Sequence, residues 1–362
     1  MGDYMTNKTE SGVYQYLKWR GDLSFEQDKF NEVDAFVLTQ IAYYDFNKII
    51  GKEPIKLKDA LKTFYDSSAN RKIKLGLILP DDIAEMGKLV LKVKRYENVY
   101  LSDYVDKYDK EIKEQFCALC FHLSENYKVV IFKGTDDTLI GWQEDFNMMV
   151  SFPIPAQTSA LEYTHKLANK YKDATFTYAG HSKGGNLSMY SAIYLPEDIQ
   201  NRIHLVYNFD GPGFESNNID VELYSKVKSK IKTILPTHSI IGMIFNQIGV
   251  IKTVKSSAKM ARQHDGLTWC VEGNRFVRST LSKNSIEFSK DLNNLVGKLS
   301  IEERKSLSES VDKYIVSLDV KTLIEIPSVK MKPVQNLKMF SKKERTIFLE
   351  FVKILFKYHI LK

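Results

Sequence analysis

The stretch Thr175–Leu195, TFTYAGHSKGGNLSMYSAIYL, decides how this chain folds. It opens with a β-rich run, passes through Gly180-His181-Ser182-Lys183-Gly184, and continues as an apolar segment of helical character. Gly-x-Ser-x-Gly between a strand and a helix is the pattern of a nucleophile elbow. The spacing has a steric cause. A strand that turns straight into a helix at Ser182 forces that residue into a strained backbone conformation, and the residues two positions either side approach so closely that only glycine fits. The serine hydroxyl then stands at the C-terminal edge of a sheet. The following helix aims its N-terminus at the same place, where the positive end of its dipole favours an oxyanion. A bare Gly-x-Ser-x-Gly arises by chance often enough that context decides its meaning. Here a strand precedes it and Gly184, Gly185 and Ala192 follow, which permits close helix–sheet packing. A phosphate loop of the form G-x-x-x-x-G-K-[ST] is missing.

Outward from this stretch the chain alternates. KVVIFKGT (Lys128–Thr135) reads as a buried strand ended by Gly134, SALEYTHKLANKY as an amphipathic helix, and HLVYNFDGPGF as a strand running into a Gly-Pro turn. The order β, α, β, α, β predicts a mainly parallel sheet with right-handed crossovers. KIKTILPTHS and VIKTVKSS read as further strands. Between them IIGMIFNQIG reads either as a core segment or as a substrate-facing flap. The first hundred residues read as mostly helical: NEVDAFVLTQIAYYDFNKII carries apolar residues at helical spacing, and PDDIAEMGKLVLKV starts with Pro80 and acidic residues. KEQFCALCFHLSE reads as a short helix or a strand entry. After about Ser282 the chain becomes helical and rich in Lys and Glu, with capping boxes at Ser300/Glu303 and Ser341/Glu344. The expectation is an α/β protein of the α/β-hydrolase fold, with a mainly parallel central sheet flanked by helices. Its hydrolase domain spans residues 1–282, with a helical N-terminal part to about 125 and a catalytic core from about 126, and a helical extension occupies 283–362.

Composition narrows the function. Of 362 residues, 43% are hydrophobic and 27% charged, ordinary values for a globular protein with a sizeable core. The net charge of +7 arises from 52 basic and 45 acidic residues of mixed order. That balance suits contact with an anionic membrane surface and, with no nucleic-acid motif present, argues against a nucleic-acid partner. Three cysteines imply no disulfide framework. Cys117 and Cys120 form a C-x-x-C with no second ligand pair, read as two small core residues one helical turn apart. The N-terminal MGDYMTNKTE lacks the signal-peptide pattern and matches only loosely, through Gly2 and Thr6, a myristoylation pattern. No run of 18 apolar residues exists, and a cytoplasmic location is expected.

A nucleophilic serine needs a base, and in this chain order the histidine follows both serine and acid. His122 and His165 precede the motif, His181 sits on the elbow with its side chain expected to point away from the nucleophile, His204 begins a strand, and His359 is near the C-terminus. His264, in the polar loop QHDGLTWCVEGNRF, is the expected base, with His238 the alternative. Asp210, where a strand ends 28 residues after Ser182, is the favoured candidate acid; the alternative reading is a residue capping the Gly211-Pro212-Gly213 turn. Asp220 and Asp265 are weaker candidates. An oxyanion hole needs two backbone N–H groups, one from Lys183 and one from Thr135 at the strand end IFKGTDD.

These residues carry a resemblance. VVIFKGTDDTLIGWQEDF is similar to the FRGT…W..D segment of class 3 lipases, and YAGHSKGGNLS to their GHSLGGALA elbow. GHSKGGNL and NFDGPGF, with YLKWRGDLSFEQDKFNEVDAFVL before them and QHDGLTWCVEGNRF after, resemble the Mbeg-like, lipase-3-like α/β-hydrolases of bacteria over Tyr14 to Phe276. The resemblance implies an α/β-hydrolase core, Ser182 as nucleophile, His264 as base, Thr135 and Lys183 at the oxyanion hole, and structural roles for Trp142 and Asp145. Class 3 lipases carry their acid in a D-x-V-P segment; here Thr233-Ile234-Leu235-Pro236 stands in its place without an aspartate, which favours Asp210 as substitute. Lys183, where lipases have leucine, puts a cation beside the nucleophile, either solvated or favouring an anionic substrate. The expected function is a cofactor-free serine esterase acting on a small-molecule ester or lipid, in the manner of a lipase or lysophospholipase. The alternative is a weakly active or inactive hydrolase scaffold that binds a lipid or other ligand.

Overall fold

A computed structural model describes residues 12–67, 82–135, 139–317, 337 and 340–358. The loose myristoylation pattern and His359 lie outside these residues. Among the described residues, eight strands form one sheet in strictly sequential order: β1 (Ile55–Lys56), β2 (Tyr100–Asp109), β3 (Glu114–Ser124), β4 (Tyr127–Phe132), β5 (Thr175–His181), β6 (Ile203–Phe209), β7 (Ile231–Pro236) and β8 (Val250–Val254). Strands β1 to β4 pair antiparallel, and β4 to β8 pair parallel. A small hairpin of β9 (Val271–Glu272) and β10 (Arg275–Phe276) stands apart.

The long hairpin of β2 and β3 occupies a region read as largely helical. Period-two alternation explains it: Phe116, Ala118 and Cys120 face one core, Leu119 and Phe121 the other. Both faces of β3 are covered, so its apolar run carries no polar gaps and imitates a buried helix. The C-x-x-C reading changes with it. Cys117 and Cys120 are three residues apart on a strand, so they point to opposite faces instead of sharing a helical turn.

A strand order that advances in one direction has a consequence for the layers. Right-handed crossovers then place every connecting helix on the same face. α5 (Leu139–Asn147), α6 (Pro155–Lys170), α7 (Lys183–Tyr194), α8 (Glu197–Asn201) and α9 (Val221–Val227) make those connections. Their apolar residues share one core with Phe132, Phe176, Tyr178 and Val206 of the sheet. The C-terminal α10 (Lys283–Lys298), α11 (Ile301–Ser317) and α12 (Lys342–Lys357) pack on the same core, α11 and α12 starting with the expected capping boxes.

The opposite face is covered by the N-terminal region together with Leu267, Trp269 and Phe276 from later in the chain. α1 (Val13–Arg20), α2 (Glu32–Ile41), α3 (Leu57–Ser67) and α4 (Asp82–Lys92) supply its cover. Their Leu17, Phe36, Leu61 and Val90 join Ile131, Ala179, Phe209 and Ile234 in a second core. α2 starts at an Asn31/Asp34 capping box. Arg95, 2% exposed, pairs with fully buried Asp34 at 2.6 Å, and the hydroxyls of Tyr16 and Tyr96 donate to the same carboxylate. The paired and hydrogen-bonded charges are what allow an arginine to be buried here. Among the described residues, no helix is long and apolar enough to cross a membrane.

Candidate active site

The elbow forms where β5 hands over to α7. Ser182 lies between them with φ 57° and ψ −133°, outside the conformations a side-chain-bearing residue prefers. Its N–H donates to Phe209 O at 2.9 Å, which ties the turn to the end of β6. The flanking glycines answer the expected steric demand. A Cβ on Gly180 would overlap the carbonyl group of Gly184, and one on Gly184 would overlap the carbonyl oxygen of Phe132. Gly134 faces the same turn, since a Cβ there would lie 3.2 Å from Ser182 Cβ. The loop after β4 therefore runs beside the elbow.

Asp210 follows β6 directly and has φ 49°. Its side chain is fully buried, and its Oδ2 accepts from His264 Nδ1 at 2.7 Å. Its Oδ1 accepts from Ser239 Oγ at 2.5 Å. Gly242, in the apolar segment after β7, comes so close that a Cβ there would overlap the same oxygen. The turn-capping alternative belongs to a different residue: Gly211 N–H donates to Asn208 Oδ1 at 2.9 Å, and Asn208 Nδ2 donates to Gly211 O at 3.2 Å. Asp220 caps α9 through Leu223 N–H, and Asp265 accepts from Leu267 N–H, so each is engaged locally.

With Nδ1–H directed at Asp210, the other ring nitrogen of a neutral His264 carries the lone pair. The loop around His264 is held from several sides. His181 Nε2 donates to the His264 carbonyl at 2.8 Å, and the two rings lie 4.6 Å apart. Burial pushes the His181 imidazole down to about 3, so it stays neutral and adds no charge beside His264. The Trp269 indole donates to Gln263 O at 2.7 Å, and the Gln263 amide joins His238 N–H to Ala258 O. Phe36 of α2 stacks on Trp269 and meets His181 edge-on, so the N-terminal cover braces the loop that carries His264.

Thr135, just after β4, donates its hydroxyl to Asp145 Oδ2 at 2.7 Å. Burial raises the Asp145 carboxyl to about 6, and its Oδ1 is buried without a hydrogen-bond partner. Lys183 is the first residue of α7, where a backbone N–H has no intrahelical acceptor. Its side chain corrects the sequence expectation. It is 1% exposed, and Nζ donates to Glu144 Oε2 at 2.6 Å, Gln115 O at 2.8 Å and Gln115 Oε1 at 2.9 Å. An ammonium has three donors, and all are spent. It is neither solvated nor able to greet an anionic substrate.

The structure thus joins His264 to Asp210 and sets Ser182 against the strand that ends at Asp210. Sequence reasoning missed Ser239, Gln263, Trp269 and the bracing role of His181. Only His181 left a signal, its place on the elbow; the other three act through contacts made by chain segments distant in sequence. The segment IIGMIFNQIG packs on the core through Phe245 and Ile248, and Phe245 also lines a small cavity with Met148, Phe152, Gln157, Asn186 and Phe214.

Residues 90–312, more than half of the chain, match the protein-family model described as Mbeg1-like. No curated protein matches the sequence. Among solved structures, M37 lipase is similar at 16% identity and a TM-score of 0.37, over 59% of this chain and 68% of its own. A triacylglycerol lipase from Penicillium expansum is similar at 14% identity and a TM-score of 0.32, over 49% of this chain and 76% of its own. The Lip2 lipase from Yarrowia lipolytica is similar at 13% identity and a TM-score of 0.35, over 65% of this chain and 89% of its own.

Proposed function

The chain belongs to the Mbeg1-like family, and from that premise we propose that it is a serine hydrolase of carboxylic esters. The observation that carries the reading is the 2.7 Å hydrogen bond from His264 Nδ1 to buried Asp210, formed beside a serine held at φ 57°. In this reading Ser182 Oγ attacks the ester carbonyl while His264 Nε2 takes its proton. The tetrahedral oxyanion is received by the backbone N–H groups of Lys183 and Thr135, at a helix N-terminus where fixed dipoles stabilise developing charge. His264 then protonates the leaving alkoxide, and the acyl-enzyme is hydrolysed by a water that His264 activates. Asp210 keeps the imidazole in the required tautomer and stabilises its protonated form.

The substrate class is read from the elbow and the charge of the chain. The lysine beside the nucleophile is neutralised within the fold, so no free cation on the elbow selects an anionic acyl group. Phe152, Phe214, Phe245 and Met148 line one side of a small cavity whose other walls include Gln157, Asn186, Glu215 and Asn218, and Asn186 stands four residues after Ser182 on α7. The proposed substrate class is a lipid or lysophospholipid ester, from the sequence resemblance of the elbow to that of class 3 lipases and a net charge of +7 suited to anionic headgroups.

The experiment is hydrolysis of short- and long-chain p-nitrophenyl esters by the wild type and Ser182→Ala, with labelling of both by a fluorophosphonate probe. Labelling and turnover by the wild type, both lost in Ser182→Ala, are expected. A folded wild type that never labels would falsify the nucleophile assignment.

A further inference from the structure

Lys183 presents a physical oddity. A cation at the first position of a helix opposes the helix dipole, and burying it adds a desolvation cost that an apolar side chain would avoid. The fold bears both costs beside the candidate nucleophile. Glu144, 0% exposed, neutralises the ammonium at 2.6 Å. Its Oε1 accepts from Ala156 N–H at 2.9 Å, at the start of α6, and its Oε2 accepts from Gln115 N–H at 3.2 Å, on β3. One carboxylate therefore links α5 to β3, α6 and the start of α7. The next residue of α5, Asp145, holds the hydroxyl of Thr135.

The two backbone donors assigned to the oxyanion come from segments far apart in sequence, the loop after β4 and the start of α7. Consecutive carboxylates of one helix reach both. Glu144 reaches the residue that offers the first N–H, and Asp145 reaches the residue that offers the second. We propose that the Lys183–Glu144 ion pair is a positioning device, which with Asp145 makes α5 the common support that sets the separation of the two oxyanion donors. The inference rests on the hydrolase reading above. Lys183 contributes its N–H to the oxyanion, while its ammonium acts only through the backbone it anchors. A misplacement of about 1 Å in such a site is enough to cost on the order of 100-fold in rate.

The test uses the full chain and paired substitutions, so that no lone charge stays buried. Lys183→Leu with Glu144→Leu replaces the pair by apolar bulk. Lys183→Met with Glu144→Gln keeps side-chain length and an acceptor for Ala156 N–H. Each is measured for thermal unfolding, for kcat and KM on a p-nitrophenyl ester, and for the rate of fluorophosphonate labelling. A third pair, Lys226→Met with Glu197→Gln, removes an exposed ion pair away from the site and serves as control. The expected result is a folded variant whose kcat falls roughly 100-fold with KM changed less than about 3-fold, since the loss is confined to the transition state, and a control at wild-type rate. Wild-type kcat in either folded pair overturns the proposal. Failure of both pairs to fold assigns the ion pair to stability and also overturns it. A wild type that never labels Ser182 sinks the hydrolase reading and this one together, whereas labelling by the wild type beside an undiminished variant sinks this one alone.

Discussion

Asp210→Asn tests the proposed acid with the least disturbance of shape. In the wild type the carboxylate has two donors, His264 Nδ1 at 2.7 Å and Ser239 Oγ at 2.5 Å, and it is fully buried. An asparagine fills the same space. It can accept from His264 through Oδ1 if Ser239 rotates its hydroxyl to accept from Nδ2. The fold then survives, and what is lost is the negative charge facing the imidazolium that the proposed mechanism forms at His264. A hydrogen bond to a charged group contributes about 1.5–3 kcal/mol, and at 1.36 kcal/mol per decade that corresponds to a fall of about 10- to 150-fold in kcat. If the amide instead presents Nδ2 to the ring, it selects the wrong tautomer, and the fall approaches the roughly 10⁴-fold seen when a triad aspartate is replaced in this way. The assay is steady-state hydrolysis of a p-nitrophenyl ester, with thermal unfolding measured on the same samples. A folded Asp210→Asn within about 3-fold of the wild-type kcat, below the smallest loss estimated from the hydrogen bond, refutes Asp210 as the orienting acid.

Three further outcomes are expected. Ser182→Gly removes the strain of a side-chain-bearing residue at φ 57° and raises stability by about 1 kcal/mol, read as a higher Tm, while abolishing fluorophosphonate labelling; an unchanged or lower Tm counts against stored strain at the elbow. Gly180→Ala drives a Cβ into the Gly184 carbonyl group and destabilises the protein by at least about 1–3 kcal/mol in denaturant unfolding, so a wild-type midpoint contradicts the close approach. Asp145 has its folded pKa raised by burial to about 6, above its ordinary value of 3.8, so its contribution to stability is complete below about pH 4 and is lost as pH rises through about 6. Asp145→Asn removes that titration and flattens the stability–pH curve over this window, and an unaltered curve shows that the carboxyl does not titrate there.

The parallel half of the sheet was legible because its strands are short apolar runs separated by amphipathic helices, a pattern with one common solution. The antiparallel hairpin was not, since a strand buried on both faces loses the alternation that marks it. At the site, Ser182 was readable from local sequence, because the elbow's sterics act between residues two apart and a strand and a helix flank them in the chain. His264 and Asp210 were named but not without rivals, and the contact that joins the two depends on segments distant in sequence. Asn208 took the turn-capping task that Asp210 was also suited to, and Ser239 supplied the second donor. His238 holds Gln263 through its backbone, while Asp210 bonds to His264.

Lys183 marks the limit of local reasoning. Its position beside Ser182 was evident from the sequence, but its environment depends on Gln115 and Glu144, lying 68 and 39 residues earlier in the chain. The same holds for the N-terminal helices, whose periodicity showed only that they have an apolar face. Their burial against the sheet follows from a strand order that puts every crossover helix on the other side. Interactions between neighbours along the chain were enough to set the strand–helix alternation of the parallel half, the glycines at the elbow, and the strain at Ser182. Tertiary structure alone decided which distant groups meet, and with them the neutralisation of Lys183 and the pairing of His264 with Asp210. The reason is that steric strain acts over two or three residues, whereas desolvation and charge pairing depend on whatever the fold brings within a few ångströms.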